Sequence, residues 1–172
     1  MKSVVEVEIA LPQARVAELH SNPELSAKWM DDIERYEPVA GEPGVAGSQY
    51  RLLPKRGSMV FLATVIQRDL PNELRLRLDT KGIEILATAR FFSLPDGRTR
   101  LVSEQMFQFS GMVARVFGLL GQGAIRKAHR RHMQAFKRFA EQAAASPDVP
   151  DNANGPLGTC GVTSEAERSR TE

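Results

Sequence analysis

A series of short segments in which apolar and polar residues alternate is the feature that most constrains the fold of this chain. The segments cover residues 48–53, 59–70, 73–80, 83–94 and 99–110. In the third of them, leucines alternate with arginines, so one face of the predicted strand is apolar and the other is charged. The links are short and rich in turn-forming residues. Short links between successive strands predict an antiparallel meander.

The apolar period becomes helical after Gly111, where residues 112–145 predict one long helix with an apolar stripe and a basic face. Residues 3–11 predict a further strand at the start of the chain. Two short helices are expected between Pro12 and Met30, followed by a weak strand. The pattern therefore predicts an α+β domain in which strands and helices occupy separate stretches of the chain.

The composition excludes several other classes of protein. The chain has 172 residues and one cysteine, which rules out an intramolecular disulfide framework. Its N-terminal apolar run contains Glu6 and Glu8, and no stretch is apolar enough to span a membrane. A soluble, cytoplasmic protein without cofactor or metal is expected. The domain should cover residues 1–145, and the Pro/Gly/Ser-rich residues 146–172 predict a disordered tail.

Several local motifs together resemble those of a known superfamily. Trp29 ends the second short helix, and the loop Gly44-Val45-Ala46-Gly47 follows the next strand. The segments "DLPNEL" and "LPDGRTRL" resemble two of its turns. Residues 2–142 are thereby similar to the START-like SRPBCC superfamily, in particular its bacterial polyketide cyclase/dehydrase and lipid-transport branch. The resemblance implies a helix-grip fold, in which a curved antiparallel sheet of about seven strands wraps one long C-terminal helix.

The helix-grip fold implies a cavity between sheet and helix, and strand alternation predicts which residues face it. Small residues on the predicted inner faces indicate either a hollow or close packing of the helix against the sheet. The predicted ligand-binding residues are Trp29, Leu76, Ala87, Ala89, Phe91, Ser103, Gln105, Phe107, Phe117, Leu120, Ala124 and His132. Trp29 is either a structural plug or a wall of the cavity mouth. The inner face of residues 59–68 stays open, because both faces are apolar.

Polar residues near the predicted cavity are the candidates for chemistry. Ser103 and Gln105 interrupt an apolar face and need hydrogen-bond partners from the protein, from water or from a ligand. Glu104 could act as a general acid or base only if the strand faced the other way. His132 lies near the apolar stripe of the long helix, three residues after His129, without further metal ligands in view. The catalytic candidates are Glu104, Gln105 and His132; His20 is expected to be exposed.

The basic face of the long helix includes Arg126, Lys127, Arg130 and Arg131. It is a solvated surface, a contact for an anionic membrane, or the counter-charge of a carboxylated ligand. Aromatic residues are not interleaved with these charges, so no nucleic acid partner is expected. Three functions remain open: a binding protein for a small hydrophobic molecule such as a lipid, isoprenoid or polyketide, a cyclase or dehydratase acting in the same cavity, and a membrane- or protein-interaction module.

Overall fold

The computed structural model describes residues 1–57 and 59–145, except for the side chains of residues 112–120 and 122. The predicted tail, residues 146–172, lies outside the described residues. The strands are β1 (Lys2–Ile9), β2 (Ile33–Ala40), β3 (Gln49–Pro54), β4 (Phe61–Asp69), β5 (Glu73–Thr80), β6 (Ile83–Ser93) and β7 (Thr99–Phe109). The helices are α1 (Gln13–Ser21), α2 (Pro23–Trp29) and α3 (Gly111–Ala145).

All seven strands form one antiparallel sheet in the order β1-β7-β6-β5-β4-β3-β2. Strands β2 to β7 are each paired with their sequence neighbours, as short turns require. The first strand returns to pair with the last, and Val5 lies opposite Ser103. The expected helix-grip architecture is confirmed: a curved sheet, two short helices after the first strand and a 35-residue C-terminal helix.

The two short helices are separated by a sharp break at Asn22. The Asn22 side chain accepts a hydrogen bond from the backbone N–H of Glu24 at 2.9 Å, and Pro23 occupies the first turn of α2. Asparagine and proline favour these two positions because one caps a free N–H and the other has none to cap. The break turns α2 so that its last residue, Trp29, packs into the core.

The solid part of the core lies where the second half of α3 meets α1 and the sheet. This region contains fully buried apolar side chains from five elements: Ile9, Val16, Leu19, Phe91, Leu101 and Phe136. In β1, Val5, Val7 and Ile9 alternate with exposed residues, which is the pattern of a strand with one buried face. Elsewhere on the concave face, the described side chains border a cavity.

Candidate ligand-binding site

A cavity of about 310 Å³ lies between the concave face of the sheet and α3. Most of its wall is apolar. The apolar lining residues include Trp29, Leu52, Phe61, Ala63, Val65, Leu74, Leu76, Leu78, Ile85, Ala87, Ala89, Phe107, Ile125, Ala128 and Met133. A curved sheet cannot follow a straight helix along its whole length, so a gap between them is expected.

The structure places most of the predicted ligand-binding residues on this lining. Leu76, Ala87, Ala89, Ser103, Gln105, Phe107, His132 and Trp29 all border the cavity. The sequence did not determine which face of β4 is the inner one. In the structure, Phe61, Ala63 and Val65 of this strand border the cavity. The side chains of Phe117 and Leu120 lie outside the described residues.

Three predicted site residues lie elsewhere. Glu104 faces the convex side of the sheet, where it forms an ion pair of 2.9 Å with Lys2, because it alternates with the inward-facing Ser103. Ala124 is exposed to solvent and does not border the cavity. Phe91 is buried in the solid core, where its ring packs edge-on against His20 at 5.5 Å. Ala124 and Phe91 therefore do not line the cavity as predicted, whereas Glu104 lies on the outward face that strand alternation predicted for it.

Trp29 is part of the core and part of the cavity wall. Its side chain is 6% exposed, stacks on His20 at 5.6 Å and meets the edge of Phe136 at 5.1 Å. Trp29 is therefore both a structural plug and a wall of the cavity, the two roles between which the sequence did not decide. It combines them because it ends α2 at the boundary between the solid core and the cavity. Its indole N–H is buried without a hydrogen-bond partner in the described part of the chain.

His20 also borders the cavity, although the sequence predicted an exposed helix end. The prediction was wrong because α1 ends under the aromatic rings of Trp29, Phe91 and Phe136. Burial lowers the pKa of His20 to about 4, so the ring is neutral at pH 7. Its Nδ1 is buried, with no partner among the described residues.

Three polar side chains from β1, α3 and β7 form a hydrogen-bonded chain at the cavity. His129 Nδ1 lies 2.9 Å from the Ser3 hydroxyl, and His129 Nε2 lies 2.9 Å from the Ser103 hydroxyl. All three residues are buried. Burial, and secondarily the charge of His132, lowers the pKa of His129 to about 4.

A neutral imidazole has one donor and one acceptor nitrogen, and this arrangement can be satisfied in two ways. With the proton on Nδ1, the Ser103 hydroxyl donates to Nε2. With the proton on Nε2, Ser103 accepts from the ring and its own hydroxyl hydrogen is free to donate into the cavity. The Ser103–His129 pair can therefore offer a ligand either an acceptor or a donor, and can move a proton between the two serines.

A second histidine of α3 lies near the connection between α2 and β2. His132 Nε2 is 3.2 Å from Asp32 Oδ1, and the two side chains form an ion pair when His132 is protonated. The His132 side chain is the main reason why the pKa of Asp32 is lowered. Both residues border the cavity. Among the described residues, no group of three or more His, Cys, Asp or Glu side chains could hold a metal ion.

Sequence reasoning missed His129 as a cavity residue, although a signal was present. His129, Met133 and Phe136 follow the i, i+4, i+7 spacing of one helix face, and all three are buried. The apolar stripe predicted for this helix included His132 and Phe136, but it did not include His129 or Met133. The four basic residues of the predicted membrane contact, Arg126, Lys127, Arg130 and Arg131, are all exposed.

The sequence matches the model of a known protein family. The model of the family described as "Polyketide cyclase / dehydrase and lipid transport" matches residues 1–141. This chain belongs to that family. No curated protein sequence matches it significantly.

Solved structures show the same fold at low sequence identity. The polyketide cyclase/dehydrase family member described here resembles TTHA0849 from Thermus thermophilus, with a TM-score of 0.70 and 18% identity over 85% of this chain and 100% of the other. A START superfamily protein from Mycobacterium smegmatis has a TM-score of 0.67 and 16% identity, over 83% and 98% of the two chains. A norcoclaurine synthase point mutant from Thalictrum, bound to a transition-state analogue, has a TM-score of 0.60 and 13% identity, over 84% and 97%.

Proposed function

We propose that this protein binds a small hydrophobic molecule in the cavity between the sheet and α3. The observation that carries the proposal is the apolar lining of an internal space of about 310 Å³. This volume is at the lower end of the range in which proteins hold small molecules. The residues around an unfilled space lack favourable dispersion contacts on one side, and a bound ligand supplies these contacts. In the part of the chain that the structure describes, no helix is both long and apolar enough to cross a membrane.

Two polar positions on β7 would orient the ligand. Ser103 is held by His129, and the Gln105 side chain, two residues further on the same face, borders the cavity. Within the described chain, no hydrogen bond engages the Gln105 amide, so its donors and acceptor remain available. A few polar groups in an apolar pocket fix the orientation of a ligand that bears a carbonyl or hydroxyl group.

Native mass spectrometry of the protein purified from cells tests the proposal. We expect a population with an added mass that is released by organic solvent and identified as an apolar molecule. Displacement of the neutral dye N-phenyl-1-naphthylamine by that molecule should follow a single-site curve. A protein that carries no added mass and does not bind the dye would contradict hydrophobic-ligand binding.

A second candidate function is acid–base catalysis on the bound molecule. The observation that favours it is the buried, neutral His129 hydrogen-bonded to the cavity hydroxyl of Ser103. The two functions differ in the fate of the ligand. A ligand recovered with a changed mass after incubation with the protein, and unchanged after incubation with Ser103→Ala, would establish catalysis.

The exposed basic face of α3 supports a further proposal, contact with an anionic membrane. Each lysine or arginine close to such a surface contributes about 1 kcal/mol, so four of them would hold the protein reversibly. We expect vesicles containing anionic lipid to retain the protein at low salt, and neutral vesicles not to retain it. Retention should disappear at high salt because the attraction between exposed charges is screened.

The double substitution Arg126→Gln/Arg130→Gln should weaken this retention. The double substitution Arg51→Gln/Arg77→Gln removes the same charge from exposed positions of the sheet, and should leave retention unchanged. Equal retention on neutral and anionic vesicles, or an equal effect of both double substitutions, would contradict a contact through α3.

A further inference from the structure

A β-bulge in β4 changes the face of the sheet on which Arg68 lies. Val65 is opposite Leu76 and Gln67 is opposite Arg75, so Ile66 is an extra residue without a partner on β5. Strict alternation from Val65 would turn Gln67 inward and Arg68 outward. The extra residue reverses this order, and Arg68 comes to lie opposite Leu74, on the face that lines the cavity. Bulges of this kind commonly re-aim a side chain beside a functional site.

Arg68 differs from the other arginines of the neighbouring strands because it has no acidic partner among the described residues. Arg75, Arg77 and Arg90 lie within 3.9, 2.9 and 2.7 Å of a carboxylate. For Arg68, the described residues provide no such ion pair. The guanidinium is instead exposed at the rim of the cavity, next to the loop that contains Gly44. A cation at the rim of an apolar cavity is a natural partner for an anionic group of the ligand.

Tyr50 places a second donor beside the same loop. The Gly44 backbone N–H donates to the Tyr50 hydroxyl at 2.9 Å, and a Cβ at Gly44 would be 3.6 Å from the Arg68 guanidinium. Tyr50 is 7% exposed and lines the cavity. Its hydroxyl accepts from Gly44 and still has its own hydrogen to donate, for which the described residues offer no acceptor.

We propose that Arg68 and Tyr50 bind the carboxylate of an apolar carboxylic acid whose hydrocarbon part fills the cavity. One guanidinium and one phenol hydroxyl match a singly charged group, whereas a phosphate monoester has nearly twice that charge at pH 7. This inference rests on the proposed ligand binding and specifies the class of ligand. The register places Arg68, Leu74, Ala89 and Ser103 in one row across β4, β5, β6 and β7. An acid bound at Arg68 therefore has its chain directed across the sheet toward Ser103.

Displacement of N-phenyl-1-naphthylamine by dodecanoic acid and by dodecan-1-ol tests the inference, since the two compounds share a chain and differ in charge. Arg68→Gln should weaken binding of the acid about tenfold, as expected for the loss of a charge-assisted hydrogen bond, and leave binding of the alcohol unchanged. Tyr50→Phe should weaken binding of the acid by about fivefold, and Arg68→Lys should restore part of the loss. Arg77→Gln, on the next strand and the convex face, is the matched control and should have no effect.

The outcomes separate this inference from the function on which it rests. Equal loss of acid and alcohol in Arg68→Gln, or no loss of either, would overturn carboxylate binding while leaving hydrophobic-ligand binding in place. Tighter binding of dodecyl phosphate than of dodecanoic acid by the unsubstituted protein would overturn the assignment of a carboxylate. Failure of the unsubstituted protein to bind the dye, the acid and the alcohol would count against the proposed function itself.

Discussion

Ala87→Leu is expected to weaken the binding of N-phenyl-1-naphthylamine at least about tenfold while leaving the fold stable. Ala87 lies on β6 between Leu76 and Gln105, and its methyl group borders the cavity. A leucine there adds three carbon atoms to a space of about 310 Å³. Because the new atoms enter an existing cavity, we expect the free energy of unfolding to change by less than about 1 kcal/mol.

The control for Ala87→Leu is the same substitution at Ala124. Ala124 is exposed on α3, so leucine at that position should affect neither dye binding nor unfolding by urea. Both variants are measured by dye titration and by urea unfolding. Destabilisation of Ala87→Leu by about 1 to 3 kcal/mol with unchanged dye binding would indicate a filled core at this position.

Acidification is expected to destabilise the protein through His20 and His129. The ordinary histidine pKa is 6.5, and burial lowers the pKa of both residues to about 4 in the folded state. Between these two values the unfolded chain takes up protons that the folded chain does not. The contribution of the two neutral histidines to the free energy of unfolding is therefore complete above pH 6.5. It is lost as the pH falls toward 4. His20 accounts for up to about 3 kcal/mol of the free energy of unfolding at pH 4, and His129 contributes in the same direction.

Urea unfolding between pH 7.5 and pH 4 measures this effect. His20→Phe keeps an aromatic ring in contact with Trp29, and His129→Gln keeps a donor and an acceptor near Ser3 and Ser103. Each variant should lose part of the pH dependence of the unfolding free energy, and the double variant should lose most of it. Comparison with the unsubstituted protein cancels the titration of the carboxylates. The prediction fails if the double variant retains the full dependence on pH.

His20→Phe has a further consequence at neutral pH. The substitution removes a buried Nδ1 that has no partner in the described chain, and replaces it with an apolar edge among three aromatic rings. A gain in unfolding free energy of about 1 kcal/mol is therefore expected at pH 7.5. This gain would be absent if a bound molecule satisfies His20 in the unsubstituted protein.

The order of elements and the inner faces of three strands could be predicted from the sequence, because these features depend on local periodicity. Leu74, Leu76 and Leu78 alternate with charged residues. The pairing of β5 with β6 and of β6 with β7 has no register shift, so Ala87 and Ser103 lie on the same face of the sheet as these leucines. Turn residues at each link leave few alternatives to a meander. The family resemblance added the helix-grip arrangement, which the structure and the family match confirm.

Only the tertiary structure decided which polar residues meet the cavity. The position of Arg68 on the cavity face depends on the extra residue, Ile66, in β4. The sequence does not reveal this break in the alternation, because neither face of β4 is polar enough to mark it. His20 became a cavity residue because α1 ends against rings contributed by α2, β6 and α3. His129 acquired its partners from β1 and β7, more than 20 residues away in either case, as the separations of 126 and 26 residues show. Periodicity records which face of an element is apolar, whereas these placements depend on how elements distant in sequence pack against one another.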